Sequence, residues 1–102
     1  MAVIYEVTVC VPSARADEYL HWLRAHIVQM QALPGFEDAA LEVLCADVAD
    51  GERGWCVRYR LRDRQALDDY LREHAPRMRG EGLARFGDCL RATRRILEPI
   101  AR

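Results

Sequence analysis

The sequence predicts an α+β fold of the ferredoxin-like βαββαβ plan: a four-stranded antiparallel sheet with two helices on one face. Three observations predict it. The hydrophobic period switches between two and 3.6 in the order strand, helix, strand, strand, helix, strand. An Asp50-Gly51 turn joins the middle two strands as a hairpin. With 102 residues, 51% of them apolar and 30% charged, residues 1–102 are expected to form one small domain around one core.

Val3, Tyr5, Val7, Val9 and Val11 share one face of the first strand, and Ile4, Glu6, Thr8 and Cys10 the other. The opening MAVIYEVTVCV lacks a basic leader and carries Glu6 and Thr8, so it reads as a strand and not a signal peptide. No apolar run approaches membrane-spanning length. Ser13, after Pro12, is placed to cap a helix whose stripe is Ala16, Leu20, Leu23, Ile27 and Met30, ending at Pro34-Gly35. In the hairpin, Leu41, Val43 and Cys45 oppose Glu42 and Leu44, and Trp55, Val57, Tyr59 and Leu61 alternate with Cys56, Arg58 and Arg60. Asp63 is expected to cap a second helix with the stripe Leu67, Tyr70, Leu71, His74 and Met78. Pro76 and Gly80 should break or kink it before a turn from Gly82 to Phe86. In a last strand, from about Asp88 to Glu98, Leu90, Ala92 and Ile96 oppose Cys89, Arg91, Thr93 and Arg95.

Two helices on one face leave the other face of the sheet uncovered. That face carries Glu6, Thr8, Glu42, Arg58, Arg60, Arg91, Thr93 and Arg95. A domain this small leaves roughly a third of its unfolded-chain surface exposed, and self-association would remove more of it. Charges can be buried when paired and hydrogen-bonded, and the expected registers bring Glu6 near Arg60 and Glu42 near Arg58. These eight residues therefore read as the interface of a homodimer, ahead of an exposed face. An anion-binding face is the third reading, since four Arg exceed two Glu.

Residues 1–50 hold two Arg against eight acids, and residues 51–102 thirteen Arg against eight. Within one domain this asymmetry is expected to be neutralised internally or across a dimer, so neither nucleic acid nor membrane is an expected partner. The four cysteines are widely spaced, with no CxxC pair, which points to free thiols in the cytoplasm. Cys10, Cys56 and Cys89 fall on the charged face and Cys45 on the apolar one. A row of three thiols does not complete a tetrahedral site, and no metal or cofactor is expected.

Phosphate-loop, HExxH and GxSxG motifs are missing. His21 and His26, about 140° apart around a helix, cannot chelate one metal together and read as surface or partly buried residues. Trp22 and Tyr19 beside the apolar stripe read as packing. His74 is the candidate catalytic residue. With Tyr70, Trp55 and Met78 it is also a candidate to line a ligand pocket between helices and sheet, although a structural histidine is the preferred reading.

The strand Tyr5-Glu6-Val7-Thr8-Val9, the segments Trp22-Leu23 and His26-Ile27, and the strand Trp55–Tyr59 are familiar as a set. So are His74-Ala75-Pro76 and the run from Glu81 to Asp88. Together they resemble a bacterial domain-of-unknown-function family, from which Cys10 and Cys89 depart. The resemblance spans nearly the whole chain and implies a fold similar to the dimeric α+β barrels, a superfamily with antibiotic-biosynthesis monooxygenases and small haem-degrading enzymes. No activity comes with it. The expected function is a noncatalytic, homodimeric binding or interaction module that takes an unidentified small molecule. The alternative is a cofactor-free or haem-dependent monooxygenase-like enzyme with its site between helices and sheet.

Overall fold

The computed structural model describes residues 1–101. Alternating Val and Tyr residues make Val3–Pro12 the strand β1, the longest run of the sheet together with β3. A single 3-10 turn, Ser13–Arg15, leads into helix α1, Ala16–Gln31. The strands β2, Phe36–Val43, and β3, Glu52–Leu61, form the hairpin. Two helices follow, α2 at Arg64–Glu73 and α3 at Ala75–Phe86, then a 3-10 turn at Gly87–Cys89 and the strand β4, Arg91–Leu97. The sheet order is β2-β3-β1-β4 with every neighbouring pair antiparallel, which is the ferredoxin-like arrangement. No helix of the described residues is long and apolar enough to cross a membrane.

The core lies between the sheet and the helices. Val11, Leu61 and Leu67 are fully shut off from solvent, and Tyr5, Tyr19, Tyr59 and Tyr70 are each at most 3% exposed. Glycine is required where the chain leaves α1. Gly35 has φ +84, and a Cβ there would collide with Ala66 of α2. Its carbonyl accepts a 2.8 Å hydrogen bond from the Arg62 N–H, tying that turn to the end of β3. Asp63 caps α2 as its position predicts, its carboxylate accepting from the Ala66 N–H at 2.9 Å.

Several local expectations are corrected. Ser13 does not cap α1: it opens the 3-10 turn, its N–H donating to the Gly51 carbonyl at 2.8 Å, and the helix starts three residues later with Arg15 at the cap position. Tyr19, not Leu20, completes the buried stripe of α1 and packs edge-on to Phe86. The stretch from Gly82 to Phe86 is helix and not turn: Pro76, free of any N–H to place, opens a new helix after the break at His74. Asp88 and Cys89 belong to the turn before β4, and Cys45 lies exposed beyond β2.

Candidate functional site

Below the helices, a cleft of about 60 Å³ lies against β1, β3 and β4. Its floor is aliphatic, from Val7, Val9 and Val57, and its walls are aromatic. Tyr19, Trp22 and His26 come from α1, Tyr70 from α2, and Met78, Arg79 and Gly82 from α3. The helical spacing i, i+4 stacks the His26 imidazole on Trp22 at 4.6 Å between centroids and 17° between planes. Trp22 fits under α3 because residue 82 is glycine: a Cβ there would stand 3.1 Å from the indole.

Two features of the cleft are polar and unusual. The Nδ1 atom of His26 is buried and has no hydrogen-bond partner in the chain. Such an orphaned group costs about 1–3 kcal/mol. Burial also lowers the pKa of this imidazole, with the Glu81 carboxylate opposing in part, so the ring is neutral near pH 7. The second feature is charge. Arg79 donates to the Tyr5 hydroxyl at 2.9 Å, and Arg94 reaches the cleft from β4, where it stands opposite Val7. Burial raises the Tyr19 and Tyr59 hydroxyls far above their usual range, and pushes Tyr70 up to about 12. These phenols are neutral hydrogen-bonding groups.

Of the residues singled out in the sequence, Tyr70 and Met78 line this cleft and His74 and Trp55 do not. Helical spacing puts His74 on the cleft side only if α2 runs on unbroken. The chain breaks there instead, with φ −123 at His74, and the ring sits half-buried at the joint of α2 and α3. Trp55 is buried against Tyr19, 5.8 Å away, with Arg53 over its ring. Arg79 and Arg94 escape the sequence reading, which takes Trp22 as packing and His26 as a surface or partly buried residue. Alternation along β4 does place Arg94 with Ala92 on the helix side, and the Trp22-to-His26 spacing does predict a stacked pair.

The eight residues expected at an interface share the helix-free face, as the strand registers show. The Glu42–Arg58 pair forms as expected, but the partner of Glu6 differs by two residues from the expected register. Arg58, not Arg60, stands opposite Glu6, and it bonds both Glu6 and Glu42 at 3.0 Å. Arg95 grips the other Glu6 oxygen at 2.8 Å, while Arg60 pairs with Glu37 and Arg91 with Glu52. Burial alone would raise the Glu6 pKa, but the two arginine hydrogen bonds more than offset it and the net shift is downward. All four arginines thus have carboxylate partners within the chain, which removes the cationic excess that an anion-binding face would need. An open groove of about 530 Å³ runs over this face beside Thr8 and Cys56. Burial, then the Glu6 charge, raises the Cys56 thiol and disfavours the thiolate. The expected row of three thiols does not form: Cys56 stands opposite Thr8, Cys10 opposite Gly54 and Arg91, and Cys89 lies in the turn, donating to the Phe86 carbonyl.

The fold is similar to several solved structures. An ethyl tert-butyl ether (EthD) family protein from Bacillus halodurans superposes with a TM-score of 0.72 at 15% identity, over 98% of this chain and 100% of that one. SnoaB, a cofactor-independent oxygenase from Streptomyces nogalater, gives 0.67 at 15% identity over 99% and 95%. A Bacillus cereus protein named after the antibiotic biosynthesis monooxygenases gives 0.68 at 13% over 100% and 94%. At these identities the likeness is one of fold. No curated protein matches the chain in sequence. The model of a domain of unknown function, DUF4286, matches residues 2–100, and the chain belongs to that family.

Proposed function

We propose that the protein is a homodimeric, noncatalytic small-molecule-binding module whose ligand enters the cleft between the helices and the sheet. The observation that carries this reading is the aromatic-walled cleft itself, bordered by His26, Arg79 and Arg94. A ligand that enters it lays its apolar surface against these walls and meets the polar groups of the lining. Homodimerisation rests on the helix-free face. Its charges balance, with Arg58, Arg60, Arg91 and Arg95 against Glu6, Glu37, Glu42 and Glu52, so a two-fold axis can set it against a second copy without an uncompensated charge. Native mass spectrometry of the full chain purified from its own host tests both parts. Two chains carrying a retained small molecule are expected; bare monomer would contradict the reading.

A second reading, a cofactor-free oxygenase-like enzyme, is favoured by one observation: His26 is a neutral imidazole and can accept a proton from a bound phenol or enol. SnoaB supports it at the level of fold. Oxygen uptake on a phenolic ligand that vanishes in His26→Phe would establish it over the first. A haem does not fit. The cleft holds about 60 Å³, a small fraction of a macrocycle, and His74, the candidate catalytic residue, lies outside it.

A further inference from the structure

The arginines of the described chain fall into two sets. Ten form ion pairs with carboxylates, and only Arg24, Arg77, Arg79 and Arg94 do not. Two of these four line the cleft. In a protein that neutralises most of its guanidinium groups within the chain, two unpaired ones border one aromatic cavity.

We propose that the ligand of this cleft is a flat, apolar molecule bearing a carboxylate, which Arg79 and Arg94 hold while its ring lies against the aromatic walls. The inference rests on the cleft being the binding site. Arg79 is steered there by its 2.9 Å hydrogen bond to Tyr5, which is itself 2% exposed. That bond uses one of five N–H donors and leaves the rest for a partner. Arg79 comes from α3 and Arg94 from β4, so the two guanidinium groups border the same cleft from different elements. A carboxylate there accepts charge-assisted hydrogen bonds from a fork that suits its geometry. The ring then meets Tyr19, Tyr70 and the Trp22–His26 stack.

At about 60 Å³ the cleft has room for about two waters, so a ring enters only if one wall yields. The wall that yields is α3. It carries Gly80 and Gly82, each about 1 kcal/mol poorer than Ala in a helix. It also joins α2 through the broken turn at His74, so it can tilt without unwinding its neighbour.

Titration calorimetry on the full chain with 2-naphthoate, and with 2-naphthalenemethanol as its neutral counterpart, tests the inference. The carboxylate is expected to bind one per chain and at least tenfold tighter than the alcohol. Arg79→Gln and Arg94→Gln should each weaken 2-naphthoate about tenfold and leave the alcohol unchanged, whereas Arg77→Gln should change neither. Arg94 is exposed, so its variant is expected to fold, and far-ultraviolet circular dichroism verifies this. Equal affinity for the two probes, or a silent Arg94→Gln, overturns the carboxylate while leaving an apolar cleft ligand standing. Binding of neither probe to the folded protein overturns the cleft as a binding site as well.

Discussion

Glu6 shows what a single side chain does on a sheet face that no helix covers. Its carboxylate is 3% exposed, yet its partners Arg58 and Arg95 lie half in solvent, so the pair is anchored from one side only. Replacing it as Glu6→Gln should cost about 1–2 kcal/mol in chemical denaturation at pH 7, at the low end for a buried group because the arginines can hydrate. The folded pKa of Glu6 lies below the ordinary value of 4.5. Its stabilisation is therefore fully present above about pH 4.5 and is lost as pH falls through the folded value, and Glu6→Gln should flatten that acid limb. His26 acts in the same direction at higher pH. Burial lowers its folded pKa below 6.5, so the unfolded chain takes up the proton first and the native state loses stability as pH falls from about 7 towards the folded value. His26→Phe keeps the stack on Trp22 and removes the orphaned nitrogen. It should raise the melting temperature at pH 7 and abolish the slope between pH 7 and 5.5, measured at fixed protein concentration. Neither residue was fully legible in the sequence. Alternation put Glu6 on the charged face, but only the strand register names Arg58 and Arg95 as its partners. The burial of His26 follows from the glycine at position 82, which is distant in sequence and lets α3 close over Trp22.

At the scale of elements, the strands follow from alternation and Asp63 from its capping position. A break near Pro76 follows too, but the full second helix α3 does not, because a 3.6-residue stripe continues through His74 to Met78 although α2 itself stops. Pro76 is read as a breaker and acts as a helix start, which lets the chain redirect without losing the stripe: Met78 stays buried while His74 leaves the cleft. The two glycines of α3 separate propensity from packing. Nothing lies within 4 Å of a Cβ built on Gly80, whereas one on Gly82 meets Trp22 at 3.1 Å. Gly80→Ala should therefore stabilise the protein by about 0.5–1 kcal/mol, and Gly82→Ala should gain less or lose stability as Trp22 is displaced. Thermal unfolding of the two variants side by side, with Trp fluorescence as the readout of Trp22, measures the difference.

At the scale of the whole molecule, the opposite charge of the two sequence halves is neutralised largely inside the chain. Six of the twelve ion pairs among the described residues join residues 1–50 to residues 51–102. On the helix-free face each of Arg58, Arg60, Arg91 and Arg95 has a carboxylate partner within the chain, which is the charge balance on which the proposed homodimer rests. Sedimentation velocity at micromolar concentration should report twice the 11.7 kDa chain mass, and Arg60→Glu, which sets like charges around Glu37, should shift the protein towards monomer. The two faces of the sheet thus carry different expectations, self-association on one and ligand binding on the other. A nitrogen-15 correlation spectrum recorded during titration with 2-naphthoate distinguishes them at residue level. With the cleft as the binding site, the Trp22 indole and the Gly82 amide move while Thr8 and Cys56 stay in place; movement of Thr8 and Cys56 with a silent Trp22 would contradict it.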